Sequence, residues 1–149
     1  MIKSAVYFII LALVSVPILV ARSVDYKTIQ INTDDAAYNV LVELANTRYE
    51  QSRGLSRHTS LNEDEGMLFV YEADVEAVFW MKDMRFPLDM FFIESDGVIN
   101  HIEEKVPLCG VDSCSLYKSD KPVRYVLELV DGFAEKYNVE VGDTITFEN

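Results

Sequence analysis

Basic residues are scarce in this chain. Its 149 residues carry 13 Lys and Arg against 25 Asp and Glu, giving a net charge of −12 and a pI near 4.4. Binding to a nucleic-acid backbone depends on Lys and Arg, so composition argues against that class of partner. Four prolines and six glycines exclude collagen-like and low-complexity readings. Two cysteines are too few for a disulfide-rich mini-scaffold. Nucleophile elbows, Walker loops, H-E-x-x-H and EF-hand spacing are all missing. No residue pattern implies a cofactor. Hydrophobic residues at 50% and charged residues at 26% describe a chain that folds, and its length favours one domain.

The N-terminus reads as an address. After Met1-Ile2-Lys3-Ser4 the chain is apolar from Ala5 to Ala21 and then meets Arg22. As a helix that run would span roughly 26 Å, short of the about 30 Å of a hydrocarbon core. Pro17 lies near its end, and Ala21 and Ser23 have the A-x-A-like spacing of a cleavage site before Val24. Residues 1–23 are therefore expected to be a signal peptide, or alternatively an uncleaved anchor through residues 5–21. Either exports residues 24–149 as a single β-rich domain, periplasmic or extracellular, with membrane contact only through this segment.

The remainder divides into short strands. Ile29 and Ile31 alternate with polar residues, and Tyr38, Val40, Val42 and Leu44 share one face. Thr47-Arg48-Tyr49-Glu50 has the form of a capping box, and Gly54 stands where a short helix would end in the left-handed conformation. Met67 to Tyr71 and Ala77 to Met81 are expected to be central strands. Pro87 sets the start of a strand from Leu88 to Glu94. Asp96-Gly97 predicts a type I′ hairpin turn into Val98 to Val106. Arg124 to Val130 is another strand, with Glu128 opposite in face to Leu127 and Leu129. A short helix is expected over Phe133 to Tyr137, ending at Asn138, and a last strand over Thr144 to Phe147. No βαβ rhythm is visible. The expected fold is mainly β, a compact antiparallel sandwich or barrel of about eight strands with one or two short helices.

Several words stand in a fixed order: Arg53-Gly54-Leu55, Gly66-Met67-Leu68-Phe69, Phe79-Trp80-Met81-Lys82-Asp83 and Pro87-Leu88-Asp89. Asp96-Gly97, Tyr125-Val126-Leu127-Glu128-Leu129 and Gly142-Asp143 follow. Together they resemble domain of unknown function 192, a family of small bacterial and archaeal proteins, over roughly Ile29 to Phe147. Members often carry Asn in the place of Asp83. The resemblance implies a compact β-rich fold, often behind a signal peptide, and no established reaction, substrate or cofactor.

The same words hold the candidate chemistry. Strand alternation puts Phe79 and Met81 on one face and Trp80 and Lys82 on the other. An indole on an open face beside an ammonium offers a flat apolar plate for a sugar; the alternative is a core Trp with its N–H satisfied. Asp89, among Met90, Phe91 and Phe92, needs a partner if buried. Arg53 or Lys82 could supply it in a pocket, or turn N–H groups in a structural role. Glu128 could face solvent, pair with Arg53 or Arg124, or join Asp89 as the two carboxylates of a hydrolase. His58, His101, Cys109 and Cys114 have no known zinc spacing, so no metal site is assigned. Cys109 and Cys114 are expected to form a disulfide in an oxidising compartment. A redox-active pair is the alternative, although its spacing is not C-x-x-C. The leading expectation is a binding or accessory module whose shallow pocket of Arg53, Trp80, Lys82, Asp89 and Glu128 takes a small polar ligand, such as a saccharide, or a peptide end. The others are the carboxylate hydrolase and a structural envelope protein without a ligand.

Overall fold

A seven-stranded sheet curls on itself until its two edges touch at one end. The computed structural model describes residues 24–147; the signal-peptide or anchor reading of residues 1–23 lies outside the described residues. In chain order the elements are β1 (Tyr26–Asn32), β2 (Ala37–Ala45), α1 (Arg48–Arg53), β3 (Glu65–Val75), β4 (Val78–Phe79) and β5 (Leu88–Ile93). They continue with β6 (Ile99–Val106), β7 (Tyr117–Lys118), β8 (Val123–Val130), α2 (Phe133–Tyr137) and β9 (Thr144–Phe147). The large sheet has the order β6-β5-β8-β3-β2-β1-β9, and β4 pairs only with β7. Among the described residues no helix is long and apolar enough to cross a membrane.

Side chains alternate across each strand, and here both faces of the central strands are apolar. The inner face gathers Ile29, Ile31, Val40, Val42, Leu68, Phe91, Ile93, Ile99, Leu127, Leu129 and Ile145, drawn from all seven strands, and α2 adds Phe133 and Ala134. The outer face of β3, β5 and β8 carries Met67, Phe69, Leu88, Met90, Phe92 and Val126, covered by Leu55, Ala77, Phe79 and Met81. The compact runs at Met67 to Tyr71 and Leu88 to Ile93 have this double burial as their cause.

The sheet edges meet where β6 begins. Ile99 N–H donates to Asp143 O (2.8 Å), Gly142 N–H to Ile99 O (2.9 Å) and Ile145 N–H to Gly97 O (2.8 Å). Closing the edges removes unpaired strand groups from solvent. Gly97 is required at that contact. Its φ is +92°, and a Cβ there would lie 2.5 Å from Ile145 O.

Three local expectations need correction. Ala77 to Met81 is not a central strand: only Val78 and Phe79 pair, and their partners are Lys118 and Tyr117 in the small sheet. The alternation nevertheless holds, with Ala77, Phe79 and Met81 buried and Val78 and Trp80 exposed. The Asp96-Gly97 turn is not type I′. A type I′ turn needs positive φ at both central residues, and here only Gly97 has it. Gly97 N–H donates to Glu94 O, Glu94 N–H donates to Val98 O, and Asp96 Oδ1 accepts from Val98 N–H. Finally, β2 and β3 run parallel. Their crossover hides a βαβ unit because its helix, α1, has only six residues.

Candidate functional site

The outer face of the sheet holds a row of residues in register. Glu43 on β2 opposes Met67 on β3, Met67 opposes Glu128 on β8, Glu128 opposes Met90 on β5, and Met90 opposes Glu103 on β6. Glu43 and Glu128 are thus two buried carboxyl groups on an otherwise apolar, covered face. Each would destabilise the fold without a partner.

Glu43 has partners. Arg53 Nη2 lies 3.7 Å from its Oε1, and His58 Nε2 lies 3.2 Å from its Oε2. The local sequence explains how both arrive there. Thr47 caps α1 through Glu50 N–H (3.3 Å), and the Glu50 carboxylate accepts from Thr47 N–H (3.0 Å), completing the capping box. Gln51 Nε2 donates to Ala45 O (3.3 Å) and Val70 O (2.9 Å), fastening the helix to β2 and β3. Arg53 occupies the last turn. Gly54 follows with φ +48° and ψ −144°, so it is not the left-handed helical cap expected from its position. Its missing side chain leaves room for the Phe69 ring, which a Cβ would meet at 3.4 Å. Leu55 then plugs the outer core, buried. The three letters Arg-Gly-Leu are therefore a reaching cation, a turn and an anchor.

Glu128 has no partner. It is 4% exposed, it has no hydrogen bond or ion pair among the described residues, and its Oε2 is buried. Burial alone pushes its carboxyl up to about 8. Tyr71 lies near enough to sense that charge: burial first, and the Glu128 carboxylate second, push its hydroxyl up to about 12. Arg53 Nε is also buried without a partner among the described residues.

These groups share one open pocket of about 430 Å³. Arg53, Phe69, Tyr71, Phe79, Lys82 and Glu128 contribute to its lining, and Trp80 stands at its wall. Trp80 is 55% exposed, and Lys82 Nζ sits 5.5 Å from the centre of its ring, within cation–π range. Asp83, also on the lining, takes φ +61°. Asn and Asp adopt that conformation more readily than other residues with a side chain.

The structure thus brings Arg53, Trp80, Lys82 and Glu128 together and places Asp89 elsewhere. Asp89 faces inward, because its neighbours Leu88 and Met90 face outward. It pairs with neither Arg53 nor Lys82. Its Oδ1 accepts from Lys105 N–H (2.7 Å) and Gly132 N–H (3.2 Å), and its Oδ2 from Ala134 N–H (2.9 Å). Lys105 takes φ +50° to present that N–H. Asp89 ties the end of β6 to the start of α2, which is a structural role. The two-carboxylate hydrolase fails on the same ground. Met90 opposes Glu128 and Asp89 opposes Leu129, so the two carboxyl groups point to opposite sides of the sheet.

The other candidate ligands do not converge. His58 is beside Glu43, and His101 lies between Glu103 (3.1 Å) and Asp120 (3.2 Å). Cys109 and Cys114 form a disulfide. Sequence reasoning missed Glu43 and Tyr71, and it weighed His58 as a metal ligand rather than as the partner of Glu43. The double-apolar strands carried the missing signal, since a covered outer face turns an alternating Glu from a solvent residue into a buried one.

Comparison with known proteins agrees with this architecture. A protein from Sinorhizobium meliloti 1021, described only provisionally as a transcription regulator, superposes with a TM-score of 0.80 at 31% identity, covering 85% of this chain and 97% of that one. A protein of unknown function from Novosphingobium aromaticivorans DSM 12444 superposes with a TM-score of 0.76 at 26% identity, covering 81% and 84%. No curated protein matches. The family model for DUF192, described as an uncharacterized ACR, matches residues 29–147, and the chain belongs to that family.

Proposed function

We propose that this protein is an exported binding module that holds a small polar ligand, of the saccharide class, in the pocket beside Trp80. The observation that carries the reading is Glu128. Buried polar groups in folded proteins have hydrogen-bond partners, and this one has none among the described residues while lining an open pocket. A ligand hydroxyl would supply the partner. Trp80 and the buried rings of Phe69 and Phe79 offer apolar surface, and a few polar groups converge on it, as in small-molecule sites generally. Export is supported by the Cys109–Cys114 bond, which suits an oxidising compartment, and by the apolar run ahead of residue 24. A transcription-regulator role such as the Sinorhizobium meliloti neighbour's description names fits this chain poorly, because 25 acidic and 13 basic residues are ill suited to phosphate backbones.

A thermal-shift panel of sugars, amino acids, nucleotides and short peptides tests the pocket. A ligand at about 100 times its Kd stabilises the fold by roughly 2.7 kcal/mol. The shift should come from a sugar and vanish in Trp80→Ala and Arg53→Ala. Silence across the panel would move the assignment to a structural envelope role. N-terminal sequencing of protein recovered from cells tests export: a start at Val24 is expected, and a start at Met1 would overturn cleavage.

A further inference from the structure

The pocket's two unpartnered buried groups, Arg53 Nε and the Glu128 carboxyl, define more than polarity. We propose that the pocket selects a carboxylate-bearing ligand, a sugar acid, seated with its carboxylate on Arg53 and Glu128 and its ring across Trp80. The proposal rests on the pocket reading above and narrows the ligand class.

The unpaired groups at the site include donors. Arg53 can only donate. Its Nη2 faces Glu43 (3.7 Å), and its Nε is left buried and unpartnered. Glu128 faces the apolar Met67 and Met90 on either side, the phenol of Tyr71 and the pocket. A carboxyl so enclosed stays protonated at neutral pH, as its rise to about 8 indicates, and a protonated carboxyl is also a donor. The Arg53 N–H and the Glu128 O–H are two donors that a single carboxylate can accept together, and a carboxylate is the stronger partner for the guanidinium. A sugar hydroxyl also fits the neutral carboxyl, but it lacks the charge that strengthens a hydrogen bond from Arg53.

The charges that face this site are compatible with an anion. Arg53 and Lys82 are cations, Asp83 is an anion, and Tyr71 and Glu128 are neutral at pH 7. Glu43, one strand beyond Met67, is occupied by Arg53 and His58. Glu103, beyond Met90, is 3.1 Å from His101. With Arg53 shared with Glu43 and Lys82 set against Asp83, the site is close to neutral in a chain whose net charge is −12, so it repels an anion less than the rest of the surface does.

The test is isothermal titration calorimetry of the full-length chain with four probes: glucuronate, glucose, glucosamine and N-acetylalanine. Glucuronate should bind at least about tenfold more tightly than glucose at pH 7. Its affinity should fall about tenfold between pH 7 and pH 9, as Glu128 loses its proton. Glu128→Gln keeps a donor without the ionisation, so it should retain binding and lose that pH dependence. Arg53→Ala should abolish the preference for glucuronate. Equal binding of glucose would overturn the inference and leave the saccharide pocket standing. A preference for glucosamine, or affinity that rises with pH, would also overturn it, since an ammonium ligand would ionise Glu128. N-acetylalanine binding as well as glucuronate would uphold the carboxylate and refute the saccharide class. No binding by any probe would overturn both.

Discussion

Glu128 should make this protein less stable as the solution becomes more basic, and replacing it with Gln should remove that dependence. Its carboxyl titrates near 4.5 when the chain is unfolded and is pushed up to about 8 by burial in the fold. Below pH 4.5 both states hold the proton and the group is neutral to folding. As pH rises from 4.5 towards 8, the unfolded chain gives up its proton while the folded one retains it, so unfolding is increasingly favoured. One pKa unit corresponds to about 1.4 kcal/mol. The loss is therefore about 3 kcal/mol at pH 7 and about 5 kcal/mol at pH 9, where it levels off. Domains of ordinary stability hold only about 5–15 kcal/mol, so the effect is large enough to measure by urea unfolding. The surface pairs of Lys105 with Glu135 and Lys136 with Glu63 lower those carboxylates instead and act in the opposite sense. They are present in both proteins and cancel in the difference. The stability of Glu128→Gln relative to the parent should thus climb by about 5 kcal/mol between pH 4 and pH 9. A carbon-13 titration of the Glu128 carboxyl should show its midpoint near 8. Parallel stability profiles for the two proteins, or a midpoint near 4.5, would refute the reasoning.

Asp89→Asn should destabilise the fold by roughly 3 kcal/mol, because hydrogen bonds to a charged acceptor contribute about 1.5–3 kcal/mol each and an amide cannot accept all three backbone N–H groups as the carboxylate does. A loss below about 1 kcal/mol in urea unfolding would contradict the structural assignment. Gly97→Ala should cost at least about 1 kcal/mol and lower hydrogen-exchange protection at Ile99 and Ile145, whose amides close the sheet edges; unchanged protection would mean the edges do not depend on that contact. Replacing Cys109 and Cys114 with Ser should remove about 2 kcal/mol, the small value expected for so short a loop. Two free thiols in non-reducing mass spectrometry of protein recovered from cells would overturn the bridge.

The elements were largely legible from the sequence because they depend on local rules. Thr47 and Glu50 form their capping box with the predicted reciprocity, and α2 and β9 occupy Phe133–Tyr137 and Thr144–Phe147 as expected. Errors arose where the outcome depends on distant partners. Ala77 to Met81 has the alternation of a strand, but which segment lies alongside it is a tertiary fact, and only Tyr117 and Lys118 do. The parallel pairing of β2 with β3 was hidden because the crossover contains one short capped helix and a long irregular segment. The site was half legible. Trp80 and Lys82 could be read from a period of two, and Glu128 could be assigned the face opposite Leu127. Whether that face met solvent or a covering layer was not written in the strand itself.

Asp89 and Glu128 show how far identical chemistry diverges with one step of register. Both are buried carboxyl residues, on adjacent strands, a single position out of line with each other. Asp89 faces inward, where the ends of β6 and α2 supply three N–H donors, and its burial is what holds those ends together. Glu128 faces outward between two methionines, where no group of the described residues gives it a hydrogen bond or ion pair. A third methionine at that position would fill the row with apolar surface and remove the destabilisation of about 3 kcal/mol at neutral pH. A sequence that satisfies Asp89 three times over is capable of satisfying Glu128, and it does not. Local rules broken without compensation inside the fold mark places where compensation comes from outside it. The exposed indole of Trp80 with Lys82 beside it, on the lining of the same pocket, indicates where that compensation would bind.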